Sequence, residues 1–384
     1  MLSAQEIRAA ESLLADAGGT GAVVLSAEQI WDRSNVLRLK LADGRSVVLK
    51  RGRDADSADS LRGFPAEVTA LEFLNNMDLP VAPRLLGADT EVLIMEDLGP
   101  ASSLAHSLLA HDSDRAATDL VAYGRALGAM HVWSSGRRSE FASIAAARTA
   151  GGSVPEPHWI AAFTKGKEPL LRVAARLGLP ADGVSSEIDS LLELLCGPGD
   201  AYSGLVHSDA CPDNTHITDG RCRLFDFETS GWGPVALDAA YLLAPFPSCW
   251  CFASLPADVA EPALEAYRDQ VTGAGDTLGS DWDVALTAAL ASCVVARAPA
   301  FDRTLDEDRD WGTTTARPRA LTWLRSFTDA AAKSGALPRL RKLAEAMHEQ
   351  LSARWPETVV PDYPALARPG APVARLPRGW KSLT

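Results

Sequence analysis

The hydrophobic character of this chain changes near Gly99-Pro100. Before that point the dominant repeat is two residues. Asn35 to Leu41 alternates Leu37, Leu39 and Leu41 with Arg38 and Lys40, the pattern of a half-buried strand. Asp43-Gly44 is a hairpin signal, and Ser46 to Lys50 reads as the return strand. Val23 to Leu25 gives an earlier short strand, and Arg84 to Ala88 and Val92 to Glu96 give two later ones. Between them Val68, Leu71, Leu74 and Met77 recur at helical spacing, with Pro65 near the predicted start. From about Asp114 the period is helical: Leu120, Tyr123, Leu127, Met130 and His131 share a face. Further helices are expected at 158–177, 184–196, 234–246, 256–271, 281–299, 315–334 and 337–353. Strands, one helix and more strands, followed by a long helical part, predict an α+β chain.

The helical part is interrupted by His207-Ser-Asp209-Ala-Cys-Pro-Asp-Asn214, with Asp226-Phe227-Glu228 twelve residues later. GLVHSD and CRLFDFE flank a polar loop as two short apolar strands, and Asp219-Gly220 is a second hairpin signal. The spacing is that of a phosphoryl-transfer catalytic loop followed by a metal loop. Such transfer asks the protein for positioning and charge neutralisation rather than covalent chemistry. Mg²⁺ prefers oxygen ligands, which Asn214 and Asp226 supply. Asp209 is left to accept the proton of an attacking hydroxyl, and His207 to anchor the loop by hydrogen bonding. Asp and Asn also cap ordinary turns. Four elements in register between two apolar strands argue against that simpler role.

Composition narrows the partners. The 384 residues are 47% hydrophobic and 23% charged, enough for a sizeable core. The formal charge of −13 disfavours nucleic-acid binding and suits a cationic substrate, although it also serves plain solubility. No apolar run reaches 18 residues, so no membrane span is expected, and the amphipathic N-terminus is unlike a signal peptide; a cytoplasmic location is the expectation. The six cysteines (196, 211, 222, 249, 251 and 293) fit no zinc spacing and read as buried small hydrophobes. Cys211 stands apart because it lies inside the loop, where a reactive thiol is the alternative. No GxGxxG is present, which excludes a Rossmann fingerprint and a protein-kinase Gly-rich loop. Pro234 also follows Asp226 too soon for an activation segment.

The segment Leu205 to Leu242 resembles the aminoglycoside phosphotransferase and choline kinase group of small-molecule kinases. That group shows HGDxxxxN, then IDFE or IDFG, then a W/GxPxxDxA stretch; the corresponding run here is Gly231-Trp232-Gly233-Pro234-Val-Ala-Leu-Asp238-Ala239, with three residues between Pro234 and Asp238. Ser208 departs from the usual Gly, and Cys211-Pro212 from the frequent His-Pro. The resemblance implies a two-lobed protein-kinase-like fold, with a β-rich N-lobe and a mostly helical C-lobe. It implies ATP or GTP and Mg²⁺ as cofactors. Lys50 then resembles the strand lysine that contacts the α- and β-phosphates. Its helix carboxylate is Glu67 or Glu72, which point about 140° apart on a helix, so one can face the lysine. Glu67 is preferred, as in the family. Ser34-Asn35 matches a pair found where the phosphate-covering loop lies, and Ser34 would meet a phosphate oxygen. Met95, Glu96 and Leu98 belong to a segment resembling the interlobe linker that meets adenine.

These features predict a nucleotide-binding lobe with a leading helix at 1–98, a helical catalytic and substrate lobe at 99–363, and a Pro/Arg-rich extended tail at 364–384. The expected activity is transfer of a γ-phosphoryl group to a hydroxyl of a small molecule such as an antibiotic, amino sugar or amino alcohol. The alternative is a nucleotide-binding pseudokinase or scaffold. Acceptor contacts are harder to read; the acidic run Asp306 to Asp310 beside Trp311 is one candidate for an ammonium-bearing substrate. Oligomeric state is open.

Overall fold

The computed structural model describes residues 2–18, 22–30, 35–52, 58–78, 80–100, 102–148, 158–272 and 279–376. The chain divides into two units. Unit 1 comprises Met1–Ala101, Arg137–Pro155 and Arg223–Ser230; unit 2 comprises Ser102–Gly136, Glu156–Cys222 and Gly231–Thr384.

Unit 1 begins with α1 (Ala4–Asp16), opened by a capping box. The Ser3 hydroxyl accepts the Glu6 N–H, and the Glu6 carboxylate accepts the Ser3 N–H. Strands β1 (Val24–Gln29), β2 (Val36–Leu41) and β3 (Ser46–Arg51) follow, then α2 (Ala58–Leu74), β4 (Leu85–Ala88) and β5 (Val92–Glu96). They form one antiparallel sheet of order β1-β2-β3-β5-β4. The two-residue period settles its faces. Leu37, Leu39, Leu41, Val47, Leu49, Val92 and Ile94 bury in one cluster with Ala10 and Leu14 of α1. Val48 and Lys50 alternate to the opposite face.

Helix α2 begins at Ala58, seven residues ahead of the start expected from Pro65. Proline removes one donor and the turns on either side continue, so Pro65 sits inside the helix rather than at its start. Met77 lies beyond the helix end. Asn75 instead joins α2 to β4: its side chain donates to the Leu85 carbonyl and accepts the Leu85 N–H, both at 2.9 Å.

The chain then enters unit 2 through α3 (Leu104–Leu109) and α4 (Ser113–Ser134) and returns to unit 1 as α5 (Arg138–Arg148). Helix α3 was not expected, being too short for a clear period; Ser103 caps it by accepting the His106 N–H. Helix α5 packs on α2 through an edge-to-face pair of Phe141 and Phe73, centroids 5.5 Å apart, and through Arg148 on Glu72 at 2.5 Å.

Unit 2 continues with α6 (His158–Arg176), α7 (Val184–Asp189), α8 (Leu191–Cys196) and β6 (Ser203–Val206). The hairpin β7 (Thr215–Thr218) and β8 (Arg221–Leu224) turns at Asp219-Gly220, and β9 (Gly231–Pro234) pairs antiparallel with β6. After α9 (Ala236–Ala239) come α10 (Ala257–Thr272), α11 (Ser280–Ala296), α12 (Ala298–Thr304), the small hairpin β10 (Asp310–Trp311) and β11 (Thr314–Thr315), α13 (Ala316–Ser334) and α14 (Pro338–Arg354). Helix α10 lies close on α4 because Gly124 has no side chain: a Cβ there would stand 2.2 Å from the Ala263 carbonyl oxygen.

In unit 2 the helix expected over 234–246 shortens to α9 and one 3-10 turn at Ala240–Leu242, and the helix expected over 184–196 is divided into α7 and α8. The single helix expected over 281–299 breaks after Ala296 and resumes as α12 with a 49° bend. Pro299 in the first turn of α12 cannot donate the hydrogen bond that would have continued α11. The segment read as an extended tail is irregular, and it packs on unit 2 as far as residue 376. The Arg368 guanidinium grips the buried Asp362 carboxylate at 2.8 and 2.9 Å, Asp362 bridges Val373, and Ala374 is buried. Among the described residues no single helix is long and apolar enough to cross a membrane.

Candidate active site

In unit 1 the site is a charge cluster around Lys50. Strand β3 carries Lys50 between Val36 of β2 and Leu93 of β5, which buries the side chain to 6% exposure. Its ammonium meets the Glu67 carboxylate of α2 at 2.5 Å and the Asp226 carboxylate at 2.5 Å, with Glu228 at 3.8 Å. Glu67 is the helix carboxylate that reaches Lys50; Glu72, turned away around α2, pairs with Arg148 instead. Burial alone would lower the Lys50 pKa, but Glu67 and Asp226 outweigh it and hold the ammonium above its usual range. Burial pushes the Glu67 carboxyl up against the pull of Lys50, and Asp226 and Glu228 add to the rise. Asp226 adopts a left-handed backbone, φ 66° and ψ 56°, which Asp tolerates better than most residues. One ammonium thus faces three carboxylates. That excess of negative charge is the setting a divalent cation would neutralise, and Asp226 is an oxygen donor of the kind Mg²⁺ takes.

In unit 2 the loop after β6 is built on Asp238, the acid of the Gly231 to Ala239 run read above. Asp238 is fully buried and accepts the backbone N–H of His207 at 2.6 Å and of Ser208 at 2.9 Å, with His131 Nε2 at 3.2 Å. His207 is likewise fully buried. Ser208 takes φ 63°, the left-handed region, where the resembling family usually has Gly. The turn aims Asp209 at Ser248, whose hydroxyl donates to Asp209 Oδ1 at 2.6 Å. Tyr241 secures the same region by donating to the Ser208 carbonyl at 3.0 Å. The Asn214 amide nitrogen donates to the Asp209 carbonyl at 3.0 Å, so its oxygen is the end available as a ligand. Cys211 is buried and donates to Asp209 Oδ1 at 3.2 Å; burial raises its thiol well above the usual range, unlike a reactive cysteine.

The remaining candidates are placed as follows. Ser34 lies outside the described residues. Met95 is buried in β5 opposite Val48, and Leu98 is half-buried. The Glu96 carboxylate is held by Arg223 at 2.8 Å. Asp97, to which sequence reasoning assigned no role, organises this segment by accepting from Arg38, Ser46 and the Gly99 N–H. The acidic run before Trp311 is already engaged: Asp306 pairs with Arg176, Glu307 with Arg309, and Asp308 accepts from Thr315 and the Arg317 N–H. Ser248 and Tyr241 were also missed. They carry no motif and gain meaning from the partners they meet.

A family model described as "Phosphotransferase enzyme family" (APH) matches residues 26–284, well over half of the chain. The chain belongs to that family. Among solved structures, a Ralstonia eutropha JMP134 protein assigned to the aminoglycoside phosphotransferases aligns with a TM-score of 0.51 at 17% identity, covering 88% of this chain and 98% of that one. An ethanolamine kinase from Plasmodium vivax gives 0.49 at 14% identity and 83% of each chain. A choline kinase from Cryptosporidium parvum Iowa II gives 0.46 at 13%, covering 86% and 90%. No curated protein matches the sequence. The fold is the α+β, two-lobed, kinase-like one of this phosphotransferase family, with the sheet of unit 1 as its β-rich lobe and unit 2 as its helical lobe.

Proposed function

We propose that this phosphotransferase-family protein transfers the γ-phosphoryl group of ATP or GTP to a hydroxyl of a small molecule. The observation that carries this reading is the buried Lys50 ammonium held between Glu67 and Asp226. Held there, Lys50 presents a fixed positive charge to the α- and β-phosphates, with no cost of reorganisation when the nucleotide binds. Met95, Glu96 and Leu98 supply the adenine edge through the backbone, and Ser34 a phosphate contact. Asp226 and Asn214 are the oxygen donors for Mg²⁺, which when bound neutralises charge on the transferring phosphoryl group.

Asp209 orients the acceptor hydroxyl and takes its proton. Its Oδ1 is occupied by Ser248, which locks the carboxylate in one rotamer for that task. His207 positions the loop through its backbone bond to Asp238. The acceptor is a hydroxylated small molecule such as an antibiotic, amino sugar or amino alcohol, and the charge of −13 favours a cationic one.

The test is a phosphate-transfer screen with ATP and GTP, with Mg²⁺ present, over aminoglycosides, amino alcohols, sugars and nucleoside antibiotics. Transfer that disappears in Asp209→Asn while nucleotide still raises the melting temperature is the expected result. Nucleotide binding with no transfer to any hydroxyl compound would overturn the reading in favour of a nucleotide-binding scaffold.

A further inference from the structure

Cys211, inside the Asp209 loop, and Cys249 and Cys251, nearly forty residues on, meet in unit 2. Cys211 Sγ, Cys249 Sγ and an Asp213 carboxylate oxygen all lie within 4.8 Å of one another. Cys249 Sγ stands 3.3 Å from Asp213 Oδ1, and Cys251 backs it with sulfurs 2.7 Å apart. The other Asp213 oxygen accepts the Trp250 indole N–H at 2.6 Å. We propose that Cys211, Asp213 and Cys249 form a binding site for a thiophilic divalent ion of the zinc class, separate from the Mg²⁺ donors.

The chemistry supports that ion class. Two sulfurs and one carboxylate oxygen suit a borderline-soft cation, whereas Mg²⁺ prefers oxygen alone. Tetrahedral zinc with bonds of about 2.3 Å to sulfur and 2.0–2.2 Å to oxygen sets its donors about 3.5–3.8 Å apart. The observed trio is within a small side-chain rotation of that spacing. Trp250 acts on Asp213 as outer partners act on ligating carboxylates elsewhere, fixing its orientation and leaving Oδ1 turned to the sulfurs. The two sulfurs are buried while Asp213 is partly exposed, which gives an ion a way in.

The electrostatics agree. Among the described residues the Asp213 carboxylate is met by Trp250 and Cys249 and by no basic side chain. Binding releases the two thiol protons to water as the ion joins two thiolates and one carboxylate. Since Cys211 Sγ also donates to Asp209 Oδ1, an ion held here removes one donor from that carboxylate.

The test adds Co²⁺ to the full-length protein in excess Mg²⁺. One equivalent should bind with a near-ultraviolet thiolate-to-cobalt band that Zn²⁺ abolishes by displacement. The band should be lost in Cys211→Ser and in Cys249→Ser and retained in Cys196→Ser. Trp250→Phe should weaken Co²⁺ binding about 10–100-fold. In the unaltered protein one equivalent of Zn²⁺ should bind in excess Mg²⁺, read by calorimetry, which needs no variant to fold. Absence of the band, its survival in the Cys211→Ser/Cys249→Ser double variant, or no uptake of Zn²⁺ by the unaltered protein would overturn the proposal.

Discussion

The buried carboxylate of Asp238 accepts the N–H of Ser208 at 2.9 Å while Ser208 holds a left-handed backbone, φ 63°. A non-glycine residue in that region costs about 1–2 kcal/mol. Glycine removes this strain but loses more freedom on folding, by about 0.5–1 kcal/mol. Ser208→Gly should therefore stabilise the protein by up to about 1 kcal/mol, visible as a raised midpoint in denaturant with an unchanged slope. A lowered midpoint would mean that the side chain, rather than the backbone bond to Asp238, secures the turn.

Lys50 neutralises a buried acid, so its removal should be felt in stability as well as in nucleotide binding. Lys50→Ala leaves Glu67 buried beside Asp226 and Glu228 with no ammonium. Breaking a buried pair on one side costs about 3–5 kcal/mol. Unfolding curves of Lys50→Ala and of Lys50→Met/Glu67→Leu should differ, the double variant being the more stable of the two. A double variant as weak as the single one would show that Glu67 is not the group left uncompensated.

Ser248 is expected to act through Asp209. In Ser248→Ala the carboxylate loses its donor at 2.6 Å and gains rotamer freedom. If the proposed transfer reaction holds, kcat should fall about tenfold or more while KM for nucleotide stays constant, because the lost contact sits at the proton acceptor rather than at the phosphates. Ser248→Thr, which keeps the hydroxyl, should recover most of the rate. A change confined to KM would contradict this assignment.

The docking of α1 should depend on acid. Glu6 pairs with Arg51 of β3, and this contact lowers its carboxyl from 4.5 to about 2 against the opposing effect of burial. A depressed folded-state value means that the stabilisation is present above about pH 4.5 and is lost as the pH falls through about 2. Solvent screening keeps the contribution near about 1 kcal/mol. Wild type and Glu6→Gln should differ by that amount near neutral pH and converge at the acid end in chemical denaturation. A constant gap down to acid pH would remove Glu6 as its source.

Much of the architecture was legible because it is periodic. The alternation of Leu37, Leu39 and Leu41 marks one sheet face, and all three are buried there. Helices α6, α10, α13 and α14 of unit 2 also lie where the helical repeat places them. Short or interrupted elements were not legible. Helix α3 has too few residues to show a period, and Pro299 divides an apolar stretch whose composition reads as continuous. Proline was also misread in the other direction, since Pro65 sits inside α2 rather than near its start.

By itself the sequence determined the residue types able to do phosphate chemistry, and the family they resemble, because both depend on spacings of a few residues along one chain. The tertiary structure decided the partners. Lys50 meets Glu67 and not Glu72 because α2 presents one of its faces to β3. Ser248 reaches Asp209, and Cys249 joins Cys211 and Asp213, across more than thirty residues of intervening chain. Periodicity states which face a side chain is on. It does not state what will be packed against that face, and hydrogen bonds, ion pairs and metal ligation depend on that second fact.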